Sequence, residues 1–225
     1  MDRHRLLVLT ASVIALAGVP GCGEWQDLPV HLYFDTDFND VEYQAGLDVV
    51  AEWNEWAGGR YAYGDEVFVV AGRFDDDFNV NDYEDQYHVV YRINGPGNPD
   101  VEYLQTLYAD SGGVGGYNTL SDGFIVMYPV DAVLLGEWQD LQPRIEAGEI
   151  NADGVREYLD ERRYGIAHNY MLHEFGHMLG LIHQNSRQAV MNSNGSITYD
   201  GIEYLTDADL DAFCENYDCC CDCND

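Results

Sequence analysis

Three histidines and a glycine within residues 173–183 have the spacing of a metal site. His173 and His177 stand four residues apart, so on a helix their rings lie one above the other and can reach a common point. Gly180 can adopt a positive φ, end the helix and turn the chain back, which lets His183 approach that point from outside the helix. Three neutral imidazoles leave one position of a tetrahedral zinc ion open to water, as in catalytic sites. The spacing therefore predicts one catalytic Zn2+.

Glu174 adds a carboxylate beside the predicted metal. It follows His173 directly, so it can flank the ion without binding it. Zinc lowers the pKa of its water to about 7, and a nearby carboxylate can accept that proton as the water attacks a carbonyl. We therefore predict hydrolysis of peptide bonds in a protein or peptide substrate, with Glu174 as general base. Two alternatives stay open: a zinc-containing cell-surface binding module without turnover, and core histidines bonded to the backbone.

This motif resembles that of the metzincin zinc metallopeptidases and, within them, the matrixins. Met191 stands eight residues after His183, which matches the matrixin spacing of a turn that contains a methionine. The resemblance implies that Met191 forms an apolar floor under the histidines and is not a ligand. Residues 205–217 are similar to the last helix of matrixin catalytic domains, with Thr206 as cap and Asp209 in a capping-box position.

The resemblance also implies a fold. It is an α+β, metzincin-like catalytic domain over residues 30–217, with a twisted sheet of five mostly parallel strands, an antiparallel edge strand, two long helices and a small C-terminal lobe. An extended substrate would add to the edge strand near residues 115–120, and residues 192–204 would wall the specificity pocket. Matrixins usually carry a propeptide, for which the short stretch after Cys22 leaves no room, so we expect no latency of that kind.

Hydrophobic patterning predicts the elements that position the motif. Apolar residues at steps of three and four predict a helix from Asp40 that ends at Gly58. Alternating or apolar runs and turn residues predict strands at 30–34, 66–73 and 87–93, and a hairpin of 115–120 with 124–128. Further helices are expected over 134–147 and from 154 onward, with Asp153 as N-cap and a break or kink at Gly165. His168 is rotated off the metal face and is expected to be structural.

The chain begins like a bacterial lipoprotein. A basic start, an apolar run from Leu6 to Val19 and a small-residue end predict a signal peptide over residues 1–21. The residues that end at Cys22 resemble a lipidation site, which implies a lipid on Cys22 and an anchor and linker over 22–29. We expect an exported protein anchored by this lipid alone to the cell envelope, at the outer membrane or the cell surface. An ordinary signal peptide and secretion are the alternative.

The acidic composition limits the partners. The 225 residues include 41 acidic and 10 basic ones, for a net charge of −31, so nucleic acid is not an expected partner. The acidic segment 75–82 could hold a structural Ca2+ or simply be solvated. The chain ends in a Cys-rich tail over residues 218–225, which contains four cysteines, and a fifth, Cys214, lies just before it. Export favours disulfides or disordered thiols over a metal–thiolate cluster for these five residues: Cys214, Cys219, Cys220, Cys221 and Cys223. Their pairing, the natural substrate, its cleavage preference and the oligomeric state stay open.

Overall fold

The structure of the protein is a computed structural model that describes residues 28–58, 66–75, 88–92, 113–119, 122–127, 130–184, 189–192 and 201–217. Several sequence-based expectations lie outside these ranges. They concern the signal peptide, the lipid on Cys22, the Cys-rich tail and all but Asp75 of the acidic segment. These expectations, and the division of the chain into its four segments, stay predictions.

Strand β1 (Val30–Asp35) and helix α1 (Asp40–Ala57) lie close to their predicted bounds. The side chain of Asn39 starts α1 by accepting hydrogen bonds of 3.0 Å from the N–H groups of Val41 and Glu42. The Glu42 carboxylate accepts the N–H of Asn39 in return, which completes a capping box. The predicted apolar face of α1 is buried at most of its positions, including Ala45, Val49 and Trp53.

Parallel pairing organises the sheet. Strand β1 pairs in parallel with β2 (Phe68–Phe74) on one side and with β3 (His88–Arg92) on the other. Strand β5 (Asp122–Met127) pairs in parallel with β3, and β4 (Gly113–Thr119) pairs antiparallel with β5. Together with the helices, these strands confirm a mixed class of helices and sheet.

Two helices follow, and the second differs from its prediction in two respects. Helix α2 spans Asp131–Glu146, and α3 spans Ala152–Met178 without a break at Gly165. The N-cap of α3 is Asn151, whose side chain accepts the N–H of Asp153, so Asp153 is not the cap. A Cβ at Gly165 would make only ordinary van der Waals contact with the carbonyl oxygen of Gly201, at 3.5 Å. A helical glycine costs about 1 kcal/mol relative to alanine, and the burial of the second half of α3 favours a continuous helix despite this cost.

Buried polar contacts fix α3 against the rest of the fold. The indole Nε1 of Trp53 donates to the carbonyl oxygen of Leu172 at 3.2 Å, which ties α1 to the residue before His173. The Glu42 carboxylate, only 1% exposed, lies 2.7 Å from Nε of Arg92 and 3.3 Å from a guanidinium nitrogen of Arg163. A charge this buried needs such partners, so α1, β3 and α3 are joined at one point.

The last described helix, α4, spans Asp207–Tyr217. It packs Leu210 and Phe213 into the same core that contains the inner face of α1 and most of the second half of α3. Among the described residues, no helix is both long and apolar enough to cross a membrane.

Candidate metal centre

Three histidine rings meet at the C-terminal end of α3. Nε2 of His177 lies 3.1 Å from Nε2 of His173, and Nε2 of His183 lies 3.2 Å from each of them. Zn–N bonds of 2.0–2.1 Å in a tetrahedral site correspond to nitrogens about 3.3 Å apart. The three rings therefore have nearly the separation that a shared zinc ion requires. Within the described ranges, no other group of three or more potential ligands is this close.

The hydrogen bonds of the outer ring nitrogens show which atoms could hold a metal. Nδ1 of His173 contacts the carbonyl oxygen of Val190 at 2.8 Å, and Nδ1 of His177 contacts that of Leu181 at 2.8 Å. A carbonyl oxygen can only accept, so each Nδ1 carries the proton and each Nε2 carries a lone pair. Lone pairs aimed at one point repel unless a cation lies between them. The donor set therefore fits a divalent metal that favours imidazole, such as zinc.

Burial keeps these rings neutral. It lowers the pKa of His173 to about 4, although the hydrogen bond to Val190 opposes the shift. Burial also lowers the pKa of His177 to about 3, with a further contribution from the neighbouring His173. The pKa of the half-buried His183 is lowered by burial as well. Metal ligands must be deprotonated, so the fold holds all three rings ready for a metal at neutral pH.

A glycine turn brings the third histidine back to the other two. Gly180 has φ of 77° directly after the end of α3, in the region that glycine adopts without strain. Its N–H donates to the carbonyl of His177 at 2.9 Å, and the N–H of Leu181 donates to that of Gly176 at 2.9 Å. These two bonds form a Schellman motif. The sequence-based prediction of a helix end and a reversal at Gly180 is confirmed.

Met191 packs against α3 at Gly176. Its side chain is fully buried, and a Cβ added at Gly176 would come within 2.3 Å of its Sδ. The turn that contains Met191, here called the methionine turn, is held by Asp209 of α4. The Asp209 carboxylate accepts the N–H groups of Val190 at 3.1 Å and Met191 at 3.0 Å. The glycine at 176 thus makes room for the sulfur, and α4 holds the turn in place.

The role of Asp209 goes beyond what its sequence position indicated. It accepts the N–H of Thr206 at 3.0 Å, as the capping box predicted, but the Thr206 hydroxyl donates to it at 2.8 Å instead of capping the helix. Its bonds to the methionine turn cross 18 and 19 residues of chain. The cap pattern alone could identify Asp209, but no local signal in the sequence indicates this second role.

The remaining candidate residues also have defined places. Glu174 follows His173 in α3 and is fully buried. His168 lies away from the triad; its ring stacks on that of Tyr164, and its Nε2 is 3.6 Å from a carboxylate oxygen of Glu52. These contacts agree with the structural role predicted for His168.

The fold and the triad together fit one class of protein, the metzincin type of zinc metallopeptidase, in which a helix supplies two histidines and the chain beyond a glycine supplies the third. Residues 135–218 match the model of the M10 peptidase family, described as matrixin. The matched segment begins within α2, ends just after α4 and includes all three histidines. The resemblance to the matrixin-like metzincins is therefore confirmed, and the match indicates a hydrolase of the metallopeptidase kind. No curated protein matches the chain.

Proposed function

We propose that this protein is a zinc-dependent endopeptidase with a metzincin-like catalytic domain over residues 30–217. The observation that carries the proposal is the convergence of three imidazole rings, whose Nε2 atoms lie 3.1–3.2 Å from one another. The two rings that belong to α3 also direct their Nδ1 protons to backbone carbonyls. The matrixin match over residues 135–218 supports it. The pairing of β4 with β5 supports a five-stranded sheet with an antiparallel edge.

In this proposal, His173, His177 and His183 hold the zinc ion, and Met191 packs beneath them. When bound, zinc would supply a Lewis acid that acidifies a water molecule and polarises the scissile carbonyl. Glu174 would accept a proton from that water and deliver it to the leaving amine nitrogen. Burial of Glu174 in α3 would keep bulk water from competing for the carboxylate.

Strand β4 is the proposed site for the substrate backbone. It is the edge strand of the sheet and pairs antiparallel with β5, and three of its seven residues are glycines, which suit a strand that another backbone approaches closely. An extended peptide would add to it by main-chain hydrogen bonds. This mode of binding suits a peptidase that cuts within a chain.

Substitution of the proposed base tests the activity. Protein without residues 1–22 is incubated with casein and with a peptide library, with and without a zinc chelator. We expect cleavage that the chelator abolishes. Glu174→Gln should keep one zinc per chain and lose a factor of about 100 or more in kcat/KM, the usual contribution of a general base.

Glu161→Gln is the matched control, because Glu161 is an exposed residue of the same helix. It should retain wild-type activity. Equal activity of the two variants would show that Glu174 is not the base. One zinc per chain without cleavage of any library peptide would favour the binding module instead.

The location is a separate proposal: a lipid on Cys22 anchors the protein to the cell envelope. Multiple acyl chains hold a protein firmly to a membrane, whereas one gives weak attachment. Cys22→Ser should therefore move the protein from the membrane fraction to the soluble fraction. An unchanged distribution would refute the anchor and leave the peptidase proposal untouched.

A further inference from the structure

The last turn of α4 contacts the turn that brings His183 back to the triad. The side-chain amide of Asn216 donates to the carbonyl oxygen of Gly180 at 3.1 Å. The hydroxyl of the next residue, Tyr217, donates to the carbonyl oxygen of Leu179 at 3.0 Å. Two consecutive carbonyls of the turn at residues 179–181, here called the Gly180 turn, are therefore held by two consecutive side chains of another helix.

These carbonyls need partners from outside α3. The last carbonyls of a helix have no partner further along the same helix, and the Schellman bonds of the Gly180 turn use those of Gly176 and His177. Leu179 is fully buried, so without a protein donor its carbonyl would lack the hydrogen bond that water provides in the unfolded chain. The ring of Tyr217 is itself fixed, because it stacks on Phe213 with centroids 4.5 Å apart and is only 7% exposed.

The Gly180 turn influences two of the three histidines. Its last residue, Leu181, provides the carbonyl that accepts the Nδ1 proton of His177 at 2.8 Å. His183 follows two residues later, so the turn sets the direction in which the chain returns to the triad, and the N–H of Gln184 then donates to the carbonyl oxygen of Met191 at 2.6 Å. A change in the orientation of the 179–181 peptides would therefore move one imidazole directly and loosen the hold on another.

We propose that Asn216 and Tyr217 are positioning residues for the metal ligands, and that α4 sets the metal affinity through the Gly180 turn. The inference rests on the proposed metal centre. The hydrogen bonds of both residues go to backbone carbonyls, so each would act through the backbone that carries His183 and that orients His177. Groups that orient metal ligands typically contribute 10–100-fold to metal affinity when they bond the ligand itself. Groups one bond further away should contribute less.

The test compares variants that each remove one donor. Tyr217→Phe removes only the hydroxyl, and Asn216→Leu removes the amide while keeping the same branching and number of side-chain heavy atoms. The matched control is Tyr164→Phe. Tyr164 lies in the first half of α3, and its hydroxyl donates to the carboxylate of Asp48 in α1 at 2.6 Å. The zinc dissociation constant is measured by competition with a chelator, and the melting temperature is measured on the metal-free protein. The visible spectrum of the Co2+-loaded protein reports ligand geometry.

We expect zinc affinity to fall about three- to tenfold for each single variant, which is the equivalent of one hydrogen bond, and further for the double variant. The Co2+ spectrum should change in both variants, whereas Tyr164→Phe should leave affinity and spectrum within twofold of wild type. A lower melting temperature with an unchanged zinc affinity would refute the inference, because that is the effect of a merely structural contact.

The two proposals fail in different ways. Wild-type protein that binds no zinc would refute the metal centre and, with it, the role of α4. Wild-type protein that binds zinc as tightly as both variants do would refute only the role of α4. If Tyr217→Phe does not fold, Asn216→Leu carries the same test, because Asn216 is only half-buried.

Discussion

Replacement of Asp209 by Asn should destabilise the protein strongly, although the two side chains have almost the same shape. Asp209 is fully buried, and its carboxylate accepts four hydrogen bonds. One oxygen serves Met191 alone, whereas the other serves Val190 and both donors of Thr206. An amide has only one acceptor atom. It would keep its oxygen toward the three donors and direct its NH2 group at the N–H of Met191.

The cost follows from these contacts. A hydrogen bond to a charged group contributes about 1.5–3 kcal/mol, and a buried donor left without an acceptor costs about 1–3 kcal/mol. The three surviving bonds also become neutral and weaker. We therefore expect Asp209→Asn to lower the free energy of unfolding by at least about 3 kcal/mol. In a domain of this size that corresponds to a fall of roughly 6–12 °C in melting temperature.

The assay is thermal and urea unfolding of the metal-free protein, followed by circular dichroism. Asp211→Asn is the control, because it makes the same charge change at an exposed position of the same helix. It should stay within about 0.5 kcal/mol of wild type. Asp209→Asn should also weaken zinc binding, because the carbonyl of Val190 orients His173. Equal melting temperatures for the two variants would refute the assigned role of Asp209.

Two further predictions concern packing and pH. Gly176→Ala should destabilise the protein by about 1–3 kcal/mol, because the new Cβ would lie 2.3 Å from Sδ of Met191. The control is Gly154→Ala, which has nothing within 4 Å of the new Cβ and should stabilise the protein by about 0.5–1 kcal/mol. Melting temperatures that shift in the same direction for both variants would contradict this. Burial lowers the pKa of His168. Below about pH 6.5 this histidine therefore binds a proton in the unfolded chain more readily than in the folded one. The free energy of unfolding then falls, as the pH is lowered, by at most about 1.4 kcal/mol per pH unit. The raised pKa of Glu52 acts in the opposite direction at lower pH. Urea unfolding from pH 7 to 5 should therefore show a shallower decline for His168→Gln than for wild type, and equal slopes would exclude a contribution from His168.

Periodicity located α1 because only one side of that helix is buried. Ala45, Val49 and Trp53 face the core at four-residue steps, so the sequence carries the period of the helix. The second half of α3 offers no such signal, because every residue from Ile166 to Met178 is buried. The histidine spacing identified this segment instead. Metal geometry constrains residue types more tightly than burial does, and it left a pattern that hydrophobicity alone did not.

The details that the sequence did not reveal depend on contacts between distant segments. Gly165 alone is typical of a helix break, whereas the burial of every residue from Ile166 to Met178 favours a helix that continues through it. Asn151 and Asp153 are both suitable caps by type, and the local backbone decides between them. The bonds from Asn216 and Tyr217 to the Gly180 turn span 36 and 38 residues. No rule on local spacing could have predicted them.

Helix α3 has two halves with different surroundings, and this difference has a consequence for local opening. At about 1.5 Å per residue its 27 residues extend roughly 40 Å. Most side chains before Ile166 contact solvent, whereas none after it does so appreciably until the helix ends. Amide protons in the first half should therefore exchange with deuterium through local fraying, and those around His173 only when the whole domain unfolds. One continuous helix would then contain both fast and very slow exchange, with the boundary near Gly165.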